Sequence, residues 1–205
     1  IMTANNEIGT IEPVEELAKL TAERGILFHT DAVQAFGIES LDVQALGVDL
    51  LSVSAHKING PKGIGFLFAR QGVKLANLLL GGSQEKKRRA GTENIPGIIG
   101  FATAIQVATE NREVNRTKYK HFKALLIKQF DEAEISYKVN GVVDTALPHV
   151  FNVSFPGTDV ESFLINLDMA GVFVSSGSAC TAGSIEPSHV LVAMFGEGAA
   201  EFAGL

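Results

Sequence analysis

Three short apolar runs, each placed beside a polar or glycine-rich turn, constrain this chain more than any other feature. Ile26-Leu27-Phe28-His29-Thr30 runs into Asp31, residues 49–53 run into Ser54, and residues 65–69 follow a turn rich in glycine. Runs of this length, with little alternation, suit strands buried on both faces rather than half-solvated ones. Ahead of them, Val14, Leu17, Ala18 and Ala22 recur at helical spacing between Pro13 and Gly25. Proline near the start and glycine past the end are the expected bounds of a helix. The opening Ile1-Met2-Thr3 reads as the tail of a strand. The order is β, α, β, β, β, which indicates an α/β sheet with parallel pairs. In such sheets ligand-binding residues gather at the carboxyl ends of strands. Asp31 and Ser54-Ala55-His56-Lys57 fall at such ends.

The pattern then changes. Residues 97–132 read as helical, with a charged stretch over 110–123 that suits a solvated side. Strands are expected at 136–139, 150–154 and 172–174, with a helix over 159–169, an α+β arrangement. A large domain over 1–112 and a smaller one over 113–205 follow from this reading. Residues 175–183 form a loop of small side chains that contains Cys180.

Composition removes several classes of function. The net charge is −6 and charged residues are 20% of the chain, with basic residues clustered only at 86–89, so direct nucleic-acid binding is not expected. The most apolar stretch, 98–108, is too short to span a bilayer and is broken by Thr103 and Gln106. The single cysteine excludes an internal disulfide framework and any multi-cysteine zinc site. A cytoplasmic protein is expected. His121, His149 and His189 lack companions at metal-ligand spacing and read as structural or surface residues, so no metal is expected.

Lys57 lies between an apolar strand and the turn Gly60-Pro61-Lys62-Gly63, which lets backbone pass close to a ligand. A surface loop lysine is the ordinary reading, but Ser54 and His56 could bind a phosphate, and a lysine able to lose its proton forms Schiff bases. Asp31 alone reads as a helix N-cap. Beside such a lysine it also suits the carboxylate that keeps a pyridine nitrogen protonated. His29 could orient Asp31 or simply pack. Residues 60–65 have neither the lysine-serine/threonine ending of a P-loop nor dinucleotide spacing.

Asn5-Asn6-Glu7-Ile8-Gly9, His29-Thr30-Asp31-Ala32-Val33-Gln34, Ser54-Ala55-His56-Lys57, Arg89-Ala90-Gly91-Thr92 and Ser175-Ser176-Gly177-Ser178-Ala179-Cys180-Thr181 occur in this order. Together they resemble the cysteine desulfurases, in the class V aminotransferase group of fold-type I pyridoxal-phosphate enzymes. The resemblance extends to about Phe195. It implies the C-terminal part of a fold-type I large domain followed by the small domain, and pyridoxal 5'-phosphate as cofactor. By the same resemblance Asn6 and Gln34 would bond the cofactor's phenolic oxygen, Asp31 its ring nitrogen, and Ser54 and His56 its phosphate. Lys57 would carry it as a Schiff base. Thr92 would reach the phosphate of a neighbouring subunit, which implies a homodimer.

Cys180 narrows the chemistry, since an aminotransferase needs no thiol. An isolated cysteine is often a small buried hydrophobe, but a loop of Ser, Gly, Ala and Thr suits a mobile nucleophile. The expected reaction removes sulfur from L-cysteine, leaving alanine and a persulfide on Cys180. An acceptor protein would take that sulfur for iron–sulfur clusters or tRNA thiolation. Family members also have an N-terminal portion with a histidine that stacks on the cofactor, and an arginine beyond the cysteine loop that holds the substrate carboxylate. Nothing precedes Ile1 in this sequence and no arginine follows Arg116. A truncated remnant or docking module, or another class V enzyme such as a selenocysteine lyase, is the alternative reading.

Overall fold

The structure is a computed structural model that describes residues 1–177 and 188–196. Two compact units divide the chain: the first comprises residues 1–3 and 12–115, the second residues 4–11 and 116–205.

In the first unit, helix α1 (Val14–Ala22) starts after Pro13, with Glu15 and Glu16 in its first turn, where acidic side chains complement the helix dipole. Its Val14 and Ala18 are buried, and Gly25 turns the chain at φ 66°. Strand β1 (His29–Asp31) begins later than the apolar run suggested, because Ile26 and Leu27 are exposed. The one-turn helix α2 (Val43–Leu46) is capped by Asp42, whose carboxylate accepts the Gln44 N–H at 2.8 Å. Strands β2 (Leu50–Ser54) and β3 (Gly65–Ala69) complete a sheet ordered β1-β2-β3. The pair β1–β2 is parallel and β2–β3 antiparallel, so the sheet is mixed. Met2 extends it by a parallel bridge to Asp31.

Alternation divides the sheet into faces. Thr30, Leu51 and Val53 are buried with Val14, Phe28, Val48, Phe101 and Ala104. His29, Asp31, Ser52 and Ser54 alternate with these buried positions and remain half-buried or exposed. Phe36, Phe66 and Phe101 meet edge-on or tilted with centroids 5.7–6.2 Å apart. The turn α3 (Gln84–Lys87) precedes the long helix α4 (Ile95–Glu132), which opens with Asn94 Oδ1 accepting the Gly97 N–H and with Pro96 in its first turn.

The second unit holds the rest of α4 and the antiparallel pair β4 (Lys138–Asn140) and β5 (Asn152–Ser154). Helix α5 (Val160–Met169) is capped by Asp159, and helix α6 (His189–Phe195) by Ser188. The expected strand at 172–174 is not formed. Val172, Phe173 and Val174 are exposed, and apolar β-prone residues make a strand only where a neighbouring strand pairs with them. Residues 4–11 fold back on themselves through an Ala4–Ile11 antiparallel bridge and join residues 146–150 through Leu147 N–H to Gly9 O at 2.8 Å. Gly9, at φ 74°, is necessary there, since a Cβ would lie 3.1 Å from Val150 Cβ. Tyr137, Phe130, Phe155 and Phe163 form a ring cluster with successive centroids 5.1–5.5 Å apart.

Candidate functional site

Lys57 sits in a 3₁₀ turn, Ala55–Ile58, immediately after β2. Three residues per turn place Ala55 and Ile58 on the same side, and both are buried in the core of the first unit while His56 and Lys57 are exposed. Two apolar anchors therefore hold the backbone that presents the lysine. Asn59 follows in the left-handed conformation at φ 62°, and the Gly60 N–H closes the turn on Ala55 O at 2.9 Å. A Cβ at Gly60 would meet Ala55 O at 2.9 Å and Ala104 Cβ at 3.2 Å.

Helix α4 fits against this turn through small residues spaced four apart. A Cβ on Gly100 would lie 2.6 Å from Pro61 Cγ, Ala104 borders Gly60, and Ala108 borders Gly37, whose own Cβ would meet Ile58. Larger side chains on this stripe would displace the lysine turn.

The open sheet face supplies the polar groups. Asp31 at the carboxyl end of β1 is in register with Ser52 of β2, and Ser54 lies two residues further along the same strand. Adjacent strands are about 4.8 Å apart and residues i and i+2 about 6.6 Å apart on one face, so Asp31, Ser52 and Ser54 form a compact row. Ser54 Oγ and His56 Nδ1 are 2.7 Å apart, a hydroxyl and an imidazole held together beside Lys57. Asp31 Oδ1 accepts the Val33 N–H at 2.9 Å, which closes a turn rather than capping a helix. Gln34 is half-buried in that turn, between buried Ala32 and Ala35. The exposed His29 has its Nε2 2.8 Å from Ser52 Oγ. Ser52 was not signalled by the sequence, because a serine inside an apolar run carries no motif.

Lys57 itself is exposed. Among the described residues no hydrogen bond or ion pair engages its amine. The carboxyl ends of β1 and β2 thus carry a carboxylate, a hydroxyl–imidazole pair and, in the turn that follows β2, an exposed amine.

The other candidates lie elsewhere. Thr92 is exposed in the connection between α3 and α4, and no hydrogen bond among the described residues joins it to the Lys57 cluster. Asn6 belongs to the second unit, in the turn that Asn5 organises by accepting the Glu7 and Ile8 N–H groups at 2.8 and 3.1 Å. Cys180 lies outside the described residues. No described helix is long and apolar enough to cross a membrane.

Residues 1–199 match the family described as aminotransferase class-V. The chain belongs to that family. A putative cysteine desulfurase IscS 1 from Bacillus subtilis (strain 168) is 57% identical over 96% of this chain and 52% of its own length. A cysteine desulfurase IscS from Clostridium botulinum (strain Hall) is 47% identical over 95% of this chain and 49% of its own. Among solved structures, a NifS-like protein from Rickettsia africae superposes with a TM-score of 0.86 at 34% identity, covering all of this chain and 54% of that one. The DndA structure from Streptomyces lividans gives 0.79 at 35% identity, over 99% and 57%. The fold is therefore that of the NifS-like class-V proteins, and this chain spans about half the length of the curated relatives it matches.

Proposed function

We propose that this chain carries the lysine and cysteine of a pyridoxal-phosphate-dependent cysteine desulfurase, which takes sulfur from L-cysteine and releases alanine. The observation that carries the proposal is the grouping of Asp31, Ser54, His56 and Lys57 along one edge of the sheet, on a lysine turn anchored in the core. The donor set suits the cofactor group by group. Lys57 offers an amine for its aldehyde, Asp31 a carboxylate for its ring nitrogen, and Ser54 with His56 a hydroxyl and an imidazole for its phosphate. Asn6 and Gln34 are assigned to its phenolic oxygen on the sequence resemblance. The identity of 57%, sustained over 197 residues, favours a desulfurase over a remnant that serves only for docking.

When bound, pyridoxal phosphate supplies an electron-accepting ring. The protein's part is to place protons and the sulfur acceptor. Asp31 holds a proton on the ring nitrogen, and the Lys57 amine takes the α-proton of cysteine and returns a proton to the departing product. The Cβ–S bond of cysteine breaks, and Cys180 Sγ forms an S–S bond with that sulfur. Cysteine and a thiol thus become alanine and a persulfide, with no external oxidant or reductant. A chain with a single cysteine suits a reducing, cytoplasmic setting, where that thiol stays free. An acceptor protein serving iron–sulfur assembly or tRNA thiolation would then remove the sulfur.

We also infer a homodimer in which Thr92 faces the neighbouring subunit. Supporting this, Leu78, Leu79 and Leu80, in the connection between β3 and α3, are 95%, 50% and 83% exposed, a run of apolar side chains of the kind that marks interaction surfaces.

The chain mixed with pyridoxal phosphate is expected to show a visible absorbance band that Lys57→Ala abolishes. A band of equal intensity in Lys57→Ala would remove Lys57 from its assigned role.

A further inference from the structure

Glu7 is a carboxyl group that the proposed chemistry does not use, yet its side chain is only 1% exposed. Burying a carboxyl costs free energy unless hydrogen bonds compensate, so an apolar residue would serve simple packing better. Its partner is far away in sequence: Ser188 Oγ donates a hydrogen bond to Glu7 Oε2 across 181 positions. The same hydroxyl accepts the Val190 and Leu191 N–H groups at 3.1 and 3.3 Å, so its one proton and both lone pairs are used. His189 Nδ1 lies 3.9 Å from the other carboxyl oxygen.

Gly177 completes the cluster. At φ 61°, a Cβ built on it would lie 3.5 Å from Ser188 Cβ and 3.8 Å from Glu7 Oε2. Gly177 precedes residues 178–187 and Ser188 follows them, so this carboxyl group is hydrogen-bonded at one end of the segment bearing Cys180 and lies beside the other. Glu7 is itself held, its N–H bonded to Asn5 Oδ1 in the turn that contains Asn6.

We propose that Glu7 is a positioning residue, whose buried carboxyl fixes the two ends of the cysteine-bearing segment to the Asn5–Asn6 turn. The proposal rests on the reading of Cys180 as sulfur acceptor, but its test requires neither cofactor nor turnover. Cys180 is the only cysteine, so its alkylation by iodoacetamide reports on that segment alone. The full chain is compared with Glu7→Ala, Glu7→Gln, Ser188→Ala, the double variant Glu7→Ala/Ser188→Ala, and Glu12→Gln as control. Glu7→Ala and Ser188→Ala are each expected to change the alkylation rate by at least about threefold in the same direction, with the double variant no further from wild type than the larger single effect. Glu7→Gln retains an acceptor for Ser188 and is expected to fall between wild type and Glu7→Ala. Glu12→Gln should leave the rate unchanged. Should Glu7→Ala lose its circular dichroism signal, Ser188→Ala and Glu7→Gln carry the comparison. Single variants reacting at the wild-type rate, or a double variant equal to the product of the singles, would overturn the proposal. The visible band at Lys57 is measured on the same proteins. Its absence, with altered alkylation, would count against the cofactor reading and leave the role of Glu7 standing.

Discussion

Lys57 and Lys123 show two environments for the same side chain. Lys57 is exposed on an anchored turn, whereas Lys123 is 7% exposed and donates to Leu147 O at 2.7 Å. Burial lowers the Lys123 amine from 10.5 to about 8. Between those values the unfolded chain binds more protons than the folded one, so this group makes stability rise with pH across the window. The rise is expected to amount to about 3 kcal/mol at most, and Lys123→Met should flatten it. Urea midpoints of both proteins at the two ends of the window check this; identical pH dependence would contradict it. At this scale the sequence was informative where a side chain belongs to a local motif. Asp31, Ser54, His56 and Lys57 end apolar runs and could be picked out by position. Glu7 and Ser188 could not, because neither has a neighbour in sequence that suggests the other.

Among the elements, β3 and α4 do most to hold the lysine turn in place. Gly65 pairs with Ser54, and a Cβ there would clash with Val53 O, a backbone atom that cannot yield without disturbing the sheet. Gly65→Ala is expected to destabilise the protein by about 1–3 kcal/mol, measured by urea unfolding. Gly100→Leu would press on Pro61 and is expected to weaken cofactor binding by displacing the turn; titration of the visible band tests this, and unaltered affinity would contradict it. Helices α1, α4 and α5 and strands β2 and β3 were legible from periodicity, proline and glycine punctuation, and apolar runs. The antiparallel β2–β3 pairing was not, since an apolar run does not state its direction. Residues 172–174 were misread for a related reason: their composition suits a strand, but strand formation depends on a partner that composition does not reveal.

For the whole molecule, the residues named in the two proposals are divided between the units. Asp31, Ser54, His56 and Lys57 belong to the first, and Asn6, Glu7 and Cys180 to the second, with the chain passing between them within α4. The return of residues 4–11 to the second unit was not legible in the sequence. It depends on backbone pairing of Gly9 and Thr10 with residues more than a hundred positions away. The central claim is that this lysine and this cysteine act in one reaction. The direct measurement incubates the full chain with pyridoxal phosphate and L-cysteine, then determines by mass spectrometry the modification at Cys180 alongside the alanine released. The account predicts one added sulfur atom on Cys180 together with alanine, both lost in Lys57→Ala, and no sulfur retained in Cys180→Ser. Alanine formed with Cys180 left unmodified, or undiminished sulfur transfer by Cys180→Ser, would contradict it.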